Sequence, residues 1–324
     1  MQKPFLSVVA MARNDDYGGN WINRINAFLK VLAYQAERTK LPTEMVFVEY
    51  NPVEGKPFLN QSLTIPKNEF FEVRFFVVPK EFHLSLPDNE KVPICEFIAK
   101  NIGMRRSRGE WIIATNPDVL YSNELFDFIA SKKIDAKQFY RVNRRDLSIN
   151  SVDANLTAPD VLKLAEGNTI KIMYNDGTEY VSWKEWLSAL IHGRTKKIFL
   201  QCPAFNFMHK KGNNTSLMHT NAAGDFLMLH QSALEKSRGY DEVTVGSGVL
   251  DGYILYILYC KGYSQTILTQ PLYHIYHHHK GVKYLASHAK FVEDAKRMLD
   301  TKIPYKEYSP DWGFPKHNFK EVTF

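Results

Sequence analysis

Apolar residues recur in two alternating rhythms along the first 145 positions of this chain. Residues 5–11 form a short, mostly apolar run of strand length. Across 20–39, Trp21, Ile22, Ile25, Phe28, Leu29 and Leu32 fall at helical spacing and predict an amphipathic helix. Residues 44–50 read as a second strand closed by the turn pair Asn51 and Pro52, and 73–78 as a third stopped by Pro79. Pro93 suits the first turn of a helix whose residues Ile94, Phe97, Ile98 and Ile102 lie on one stripe and which Gly109 ends. The apolar run 111–114 has the signature of a strand buried on both faces. A helix at 123–132 and a strand at 138–143 complete the series. Repeated βα units of this kind predict an α/β fold, with a mostly parallel central sheet flanked by helices.

The rhythm loosens from 146 to about 220, where polar and turn residues predominate, so this stretch is expected to be an insertion over one rim of the sheet. It holds one clear helix, opened by Ser182 and Glu185 in a capping box. Order returns from 221, with an apolar run at 224–229, a short helix at 231–238 stopped by Gly239, and a longer helix at 248–260 ended by Gly262. Residues 287–302 are amphipathic, and the last twenty or so are too aromatic for a free tail. The chain therefore divides into an α/β half (1–145), an insertion (146–220) and a second half with a C-terminal helical extension (221–324), within one domain.

Composition narrows the class. Hydrophobic residues at 44% and charged residues at 23% exclude a disordered or fibrous chain, and 13% aromatics suit a ligand cleft. No window approaches the ~18 consecutive apolar residues of a membrane span. The start Met1-Gln2-Lys3-Pro4 lacks the regions of a signal peptide, so a cytoplasmic location is expected. Cys95, Cys202 and Cys260 are widely spaced and odd in number, which argues against a disulfide scaffold or zinc ribbon. A net charge of +6 is modest for 324 residues, and its clusters, Arg105, Arg106 and Arg108 and the stretch 141–145, favour local anion sites over a nucleic-acid face. The first cluster has a second reading, in which its arginines complement the helix dipole and face solvent.

The most informative chemistry is Asn116-Pro117-Asp118, just past the apolar run 111–114. Open α/β sheets bind ligands outside the carboxyl ends of their strands, and nucleotide-bound magnesium or manganese usually takes only one or two protein carboxylates. Asp118 fits that role. Asn, Pro and Asp also favour turns for backbone reasons alone, and that reading stands beside the first.

The order of motifs resembles the GT-A superfamily of nucleotide-sugar glycosyltransferases, of the family 2-like kind, over most of residues 5–277. Residues 7–14, ending in Ala12, Arg13 and Asn14, look like its first strand and nucleotide loop. Glu49 sits where the family has an acidic residue contacting the base. Asn101 and Gly103, followed by Gly109 and Trp111, are similar to its approach to the metal strand. Asn116-Pro117-Asp118 occupies the DxD position, while Gly239-Tyr240-Asp241-Glu242 and Leu250-Asp251-Gly252 resemble the turn and the acidic motif of inverting members. Residues 221–226 with 273–277 also look like a less-studied subgroup.

The resemblance implies a GT-A (Rossmann-like) fold and transfer of a sugar from a nucleoside diphosphate sugar, UDP-linked, to a hydroxyl of a glycan or other acceptor. It gives 1–145 the nucleotide-sugar, 146–220 the acceptor rim and 221–324 the acceptor and catalysis, with no nucleic-acid partner. It implies nucleotide contacts from Ala12, Arg13, Asn14, Asp15, Glu49, Asn101 and Asn116, and Mn2+ or Mg2+ at Asp118 with His277 as second ligand. An imidazole ligand tilts that choice towards manganese. Against this, His274, His277, His278 and His279 also read as a solvated histidine-rich loop. Glu49 also reads as an exposed strand-end carboxylate. Asp251 is the candidate base by position, or else an N-cap of the helix it begins. Asp225 is its rival and a candidate for sugar hydroxyls. Tyr180, Trp183 and Trp186 suit stacking on an acceptor sugar or simple packing. Two departures stand out: Asn116 replaces the first acid of DxD, and Leu250 precedes Asp251 where the family has a glutamate. They keep open a non-catalytic nucleotide- or carbohydrate-binding module. A sugar nucleotidyltransferase is disfavoured, because no glycine-rich loop with a following lysine succeeds the first strand.

Overall fold

A computed structural model of the chain describes residues 3–89, 92–175, 177–191, 218–243, 249–277 and 288–324. Four strands, β1 (Leu6–Ala12), β2 (Thr43–Tyr50), β3 (Phe71–Val78) and β4 (Trp111–Thr115), pair in parallel in the order β3-β2-β1-β4. Between them lie α1 (Trp21–Thr39), the short helices α2 (Leu59–Ser62) and α3 (Lys80–Ser85), and α4 (Glu96–Arg105). The chain leaves β1 towards β2 and β3, then returns to β4 on the opposite side of β1. The strand order therefore reverses between β1 and β4, and open sheets of this kind take ligands outside the carboxyl ends of their strands at such a point.

The chain continues through β5 (Val119–Tyr121), α5 (Asn123–Ala130), β6 (Gln138–Leu147), α6 (Ala158–Gly167), β7 (Thr169–Tyr174), β8 (Gly177–Tyr180) and α7 (Trp183–Ile191). A 3-10 turn at Ala223–Asp225 leads to β9 (Phe226–His230), α8 (Gln231–Ser237), α9 (Leu250–Cys260), β10 (Ser264–His274), α10 (His288–Thr301) and β11 (Lys320–Thr323). Among the described residues one sheet of 11 strands results, in the order β11-β3-β2-β1-β4-β9-β6-β10-β5, with β7 paired to β6 and β8 to β7. Strand β9 runs antiparallel to β4 and β6, while β6 and β10 are parallel. The amino end of β9 and the carboxyl ends of β1, β4, β6 and β10 therefore share one edge.

Period-two alternation divides the core. Val9 of β1 faces the layer of Phe97, Ile98 and Ile102 from α4, with Ile254 and Phe291 from α9 and α10. Val8 and Ala10 face Ile25, Phe28 and Leu29 of α1, with Leu125 and Phe126 of α5. Helices thus cover both faces, as a buried parallel sheet requires.

Several expectations are corrected. Pro93 does not open α4, whose cap is Cys95. The loosely patterned stretch holds two described helices, not one: α6 has its own capping box, in which Thr157 and Asp160 bond reciprocally. Ser182 accepts the Glu185 N–H at 3.3 Å, the first bond of the box expected there. Strand β10 went unexpected, and the C-terminal extension ends in β11, which adds to the β3 edge. Cys202, Gly248, His278 and His279 lie outside the described residues. Among the described residues, no helix is long and apolar enough to cross a membrane.

Candidate active site

Asp118 lies three residues past the end of β4, where the chain turns to start β5. Strand β5 runs antiparallel to β10, with Val119 opposite His274, and the Ile275 N–H donates to the Asp118 carbonyl at 3.0 Å. That register brings the end of β10 against the Asp118 side chain. Asp118 Oδ2 lies 3.8 Å from His274 Nε2 and 3.4 Å from His277 Nε2, and all three residues are buried. One ligand atom from each fits within 4.8 Å of the others. Asp118 Oδ1 is buried with no hydrogen-bond partner among the described residues, and a buried unsatisfied carboxylate oxygen calls for an ion or water. One carboxylate and two imidazoles are a donor set suited to manganese or a similar divalent ion, so the residues fit the metal the motif implies.

Two groups around this triad were not expected from sequence. Asp146, at the end of β6, has Oδ1 at 3.4 Å from His274 Nδ1, a contact that fixes the orientation of that imidazole. Arg24, wholly buried on the first turns of α1, places Nη1 2.7 Å from Asp118 Oδ2. Its guanidinium also donates to the Tyr17 and Gly19 carbonyls and stacks over the Trp21 ring. Burial pushes the Asp118 carboxyl above its usual range, against the pull of His274 and Arg24. A signal for Arg24 was present: a charge inside the apolar stripe of α1, between Trp21 and Phe28.

A second group lies along the same edge. Asn116 donates to Asp225 Oδ1, and its Oδ1 accepts from the Lys100 ammonium at 2.8 Å. Lys100 is buried and also donates to Glu96 Oε1 and the Gly224 carbonyl. Asp251 is not the cap of α9, a position held by Val249. Its carboxylate instead accepts the Gly224 N–H at 2.8 Å. A Cβ on Gly224 would sit 3.6 Å from Asp251 Oδ2 and 3.8 Å from Glu96 Oε1, so the two carboxylates flank this glycine. Burial and then Glu96 push the Asp251 carboxyl up to about 6, with Arg141 and Lys100 opposing. Burial also raises Asp225, but Arg144 and His274 outweigh it and hold that carboxyl below its usual range. Arg144 bridges Asp225 to Asp146 and so links the two groups.

The residues of the loop that follows β1 are engaged with one another and with the protein around them. Ala12, the last residue of β1, is in register with Glu49 of β2. Arg13 and Asp15 pair at 2.8 Å, and Asn14 donates to the Pro57 carbonyl and to Ser62. Glu49 is buried rather than exposed at its strand end. It accepts the Leu59 N–H at 2.9 Å, and burial raises it to about 7 despite that bond. Asn101 is not brought into the group: its amide donates to Tyr240 O and Glu242, and its oxygen accepts the Tyr240 N–H, which joins α4 to the turn 239–242.

Within the basic clusters, Arg106 and Arg141 are engaged with protein carbonyls, while Arg105 and Arg108 are exposed. Arg106 donates to the carbonyls of Gly313, Phe314 and His317, Arg108 pairs with Glu44 and Glu72, and Arg141 braces the carbonyls of His219, Asn221 and Ala223. In the insertion, Tyr180 and Trp186 pack together while Trp183 stays exposed.

No family model matches the sequence, and no curated protein is similar to it in sequence. Among solved structures, the chain is similar to S. aureus TarS 1–349 in complex with UDP-GlcNAc, with 11% identity over 95% of this chain and 69% of that one, at a TM-score of 0.46. A second structure of TarS 1–349 gives 11% identity, 95% and 68% coverage, and a TM-score of 0.41. The catalytic domain of Drosophila β1,4-galactosyltransferase 7, in complex with xylobiose, gives 9%, 93% and 82%, and 0.42. Likenesses at this level assign no role to any residue.

Proposed function

We propose that the chain is a glycosyltransferase that moves a sugar from a nucleoside diphosphate sugar, UDP-linked, to a hydroxyl of a glycan or other acceptor. One observation carries the reading. Asp118, His274 and His277 converge at the carboxyl edge of the sheet, beside the loop that follows β1 at the β1–β4 switch point.

In this reading Asp118, His277 and His274 hold Mn2+ or Mg2+. When bound, the ion neutralises charge developing on the leaving diphosphate. Asp146 keeps His274 oriented. Arg13, Asn14, Asp15 and Ala12 line the nucleotide loop, with Glu49 beside it as acceptor for a base imide or ribose hydroxyl. Asp225, held ionised by Arg144, accepts hydrogen bonds from sugar hydroxyls. Asp251 takes the acceptor's proton as general base, since a carboxyl at about 6 is ionised at neutral pH yet more basic than a solvated one. In this reading residues 1–145 supply the nucleotide loop and Asp118, and 221–324 supply His274 and His277 together with the acceptor contacts and the base.

Calorimetry with UDP and Mn2+ tests the reading, which expects saturable binding lost in Asp118→Ala. Failure to bind any nucleoside diphosphate with manganese present would sink it. The Arg24–Asp118 pair favours one rival, a nucleotide- or carbohydrate-binding module without catalysis. Release of free nucleoside diphosphate from a donor separates the two.

A further inference from the structure

The Arg24 guanidinium stands on the same Asp118 oxygen that approaches His277, with Nη1 at 2.7 Å and His277 Nε2 at 3.4 Å. An arginine cannot give up its charge at any working pH, and a divalent ion on Asp118 would face that charge at close range in a buried setting. We propose that Arg24 is a built-in competitor of the divalent cation, so that metal loading requires the guanidinium to leave Asp118. The inference rests on the metal reading above.

Its consequence reaches the loop before α1. Arg24 ties down that loop through the Tyr17 and Gly19 carbonyls, while Gly18 and Gly19 both have positive φ and Gly18 lies against His277 and Arg24. Glycine at these positions lets the backbone wrap closely around the pair. Displacing Arg24 from Asp118 therefore also loosens residues 16–20. Loading is a two-state exchange in which one cation replaces another, and the ion must bind tightly enough to break the pair. The arrangement sets a threshold against weakly held ions and keeps Asp118 neutralised until the metal arrives.

Mn2+ binding, measured by calorimetry and by electron paramagnetic resonance, tests the exchange on the full chain. In Arg24→Met, which keeps side-chain bulk and removes the charge, Mn2+ is expected to bind at least tenfold more tightly than in the wild type. Arg24→Lys should stay within a few-fold of wild type, and Asp118→Asn should abolish binding in every background. Hydrogen exchange on the unaltered protein gives a readout independent of any variant's folding: saturating Mn2+ should speed exchange across residues 16–24. Tight Mn2+ binding that Asp118→Asn abolishes but Arg24→Met leaves unimproved would overturn the competition alone. So would unchanged or slower exchange at 16–24. Absence of Mn2+ binding in both wild type and Arg24→Met would overturn the metal reading, and this inference with it.

Discussion

Asn116 donates its side-chain amide to Asp225 Oδ1 at 2.7 Å. Because the other end of the amide accepts from Lys100, Asn116 joins a buried ammonium to a buried carboxylate. Only a side chain with both a donor and an acceptor can do this. An aspartate, the residue the glycosyltransferase motif would place here, would satisfy Lys100 and repel Asp225. Asn116→Asp is therefore expected to lose about 1–3 kcal/mol at pH 7, read by urea denaturation. Unchanged stability would show that the bridge contributes nothing.

Asp251 should set the acid limb of activity. Its carboxyl is raised to about 6, by burial first and Glu96 second, and a base works only when deprotonated. Donor turnover is thus present above pH 6 and lost as pH falls through that value. Glu96→Gln removes the like charge and should move the limb to lower pH. Asp251→Asn should cost roughly 10²- to 10⁴-fold. A limb that stays in place in Glu96→Gln, measured in a pH–rate profile, refutes the pairing.

Glu49 gives a prediction read in stability. Its folded value, about 7, lies above the usual 4.5 because burial penalises the charge. The folded chain therefore holds this proton more tightly than the unfolded one, so stability is fullest below pH 4.5 and falls as pH rises to 7. Glu49→Gln should match wild type near pH 4 and exceed it at pH 8 by roughly 3 kcal/mol. The same variant should bind UDP more weakly. Denaturation at the two pH values is the check, and an equal gap at both contradicts the buried-acid account.

Gly18 and Gly19 offer a matched pair. Both have positive φ, +70° and +78°, so an alanine at either strains the backbone by about 1–3 kcal/mol. Only at Gly18 would a Cβ also press on His277 Cβ, at 2.8 Å, and Arg24 Nη2, at 3.0 Å. Gly18→Ala should weaken Mn2+ binding and Gly19→Ala should not. Equal effects on calorimetric affinity would separate this loop from the metal site.

The legible parts of the chain were those governed by local pattern. The α1 stripe and the fully buried runs of β2 and β4 announce themselves because both faces of a parallel strand are apolar. Asp118 was visible because it ends such a run. Strand β10 was not, since Gln270 and Pro271 interrupt it and a register shift between Leu268 and Leu272 absorbs the irregularity. Strand β6 was expected to end at 143 because Arg144, Arg145 and Asp146 follow, yet two of those charges are spent inside the site on Asp225 and His274. Arg24 and Lys100 find partners 94 and 124 residues away, a pairing that only the folded sheet creates. The histidine-rich loop was legible as composition; that His274 joins His277 on Asp118 follows from the β5–β10 register.

Release of free nucleoside diphosphate from a panel of nucleotide sugars, with and without Mn2+, tests the central claim most directly. The account predicts turnover of at least one donor that depends on Mn2+ and falls at least a hundredfold in Asp118→Ala, with the fold intact by circular dichroism. Turnover unchanged in Asp118→Ala, or no release from any donor despite saturable nucleotide binding, would contradict it.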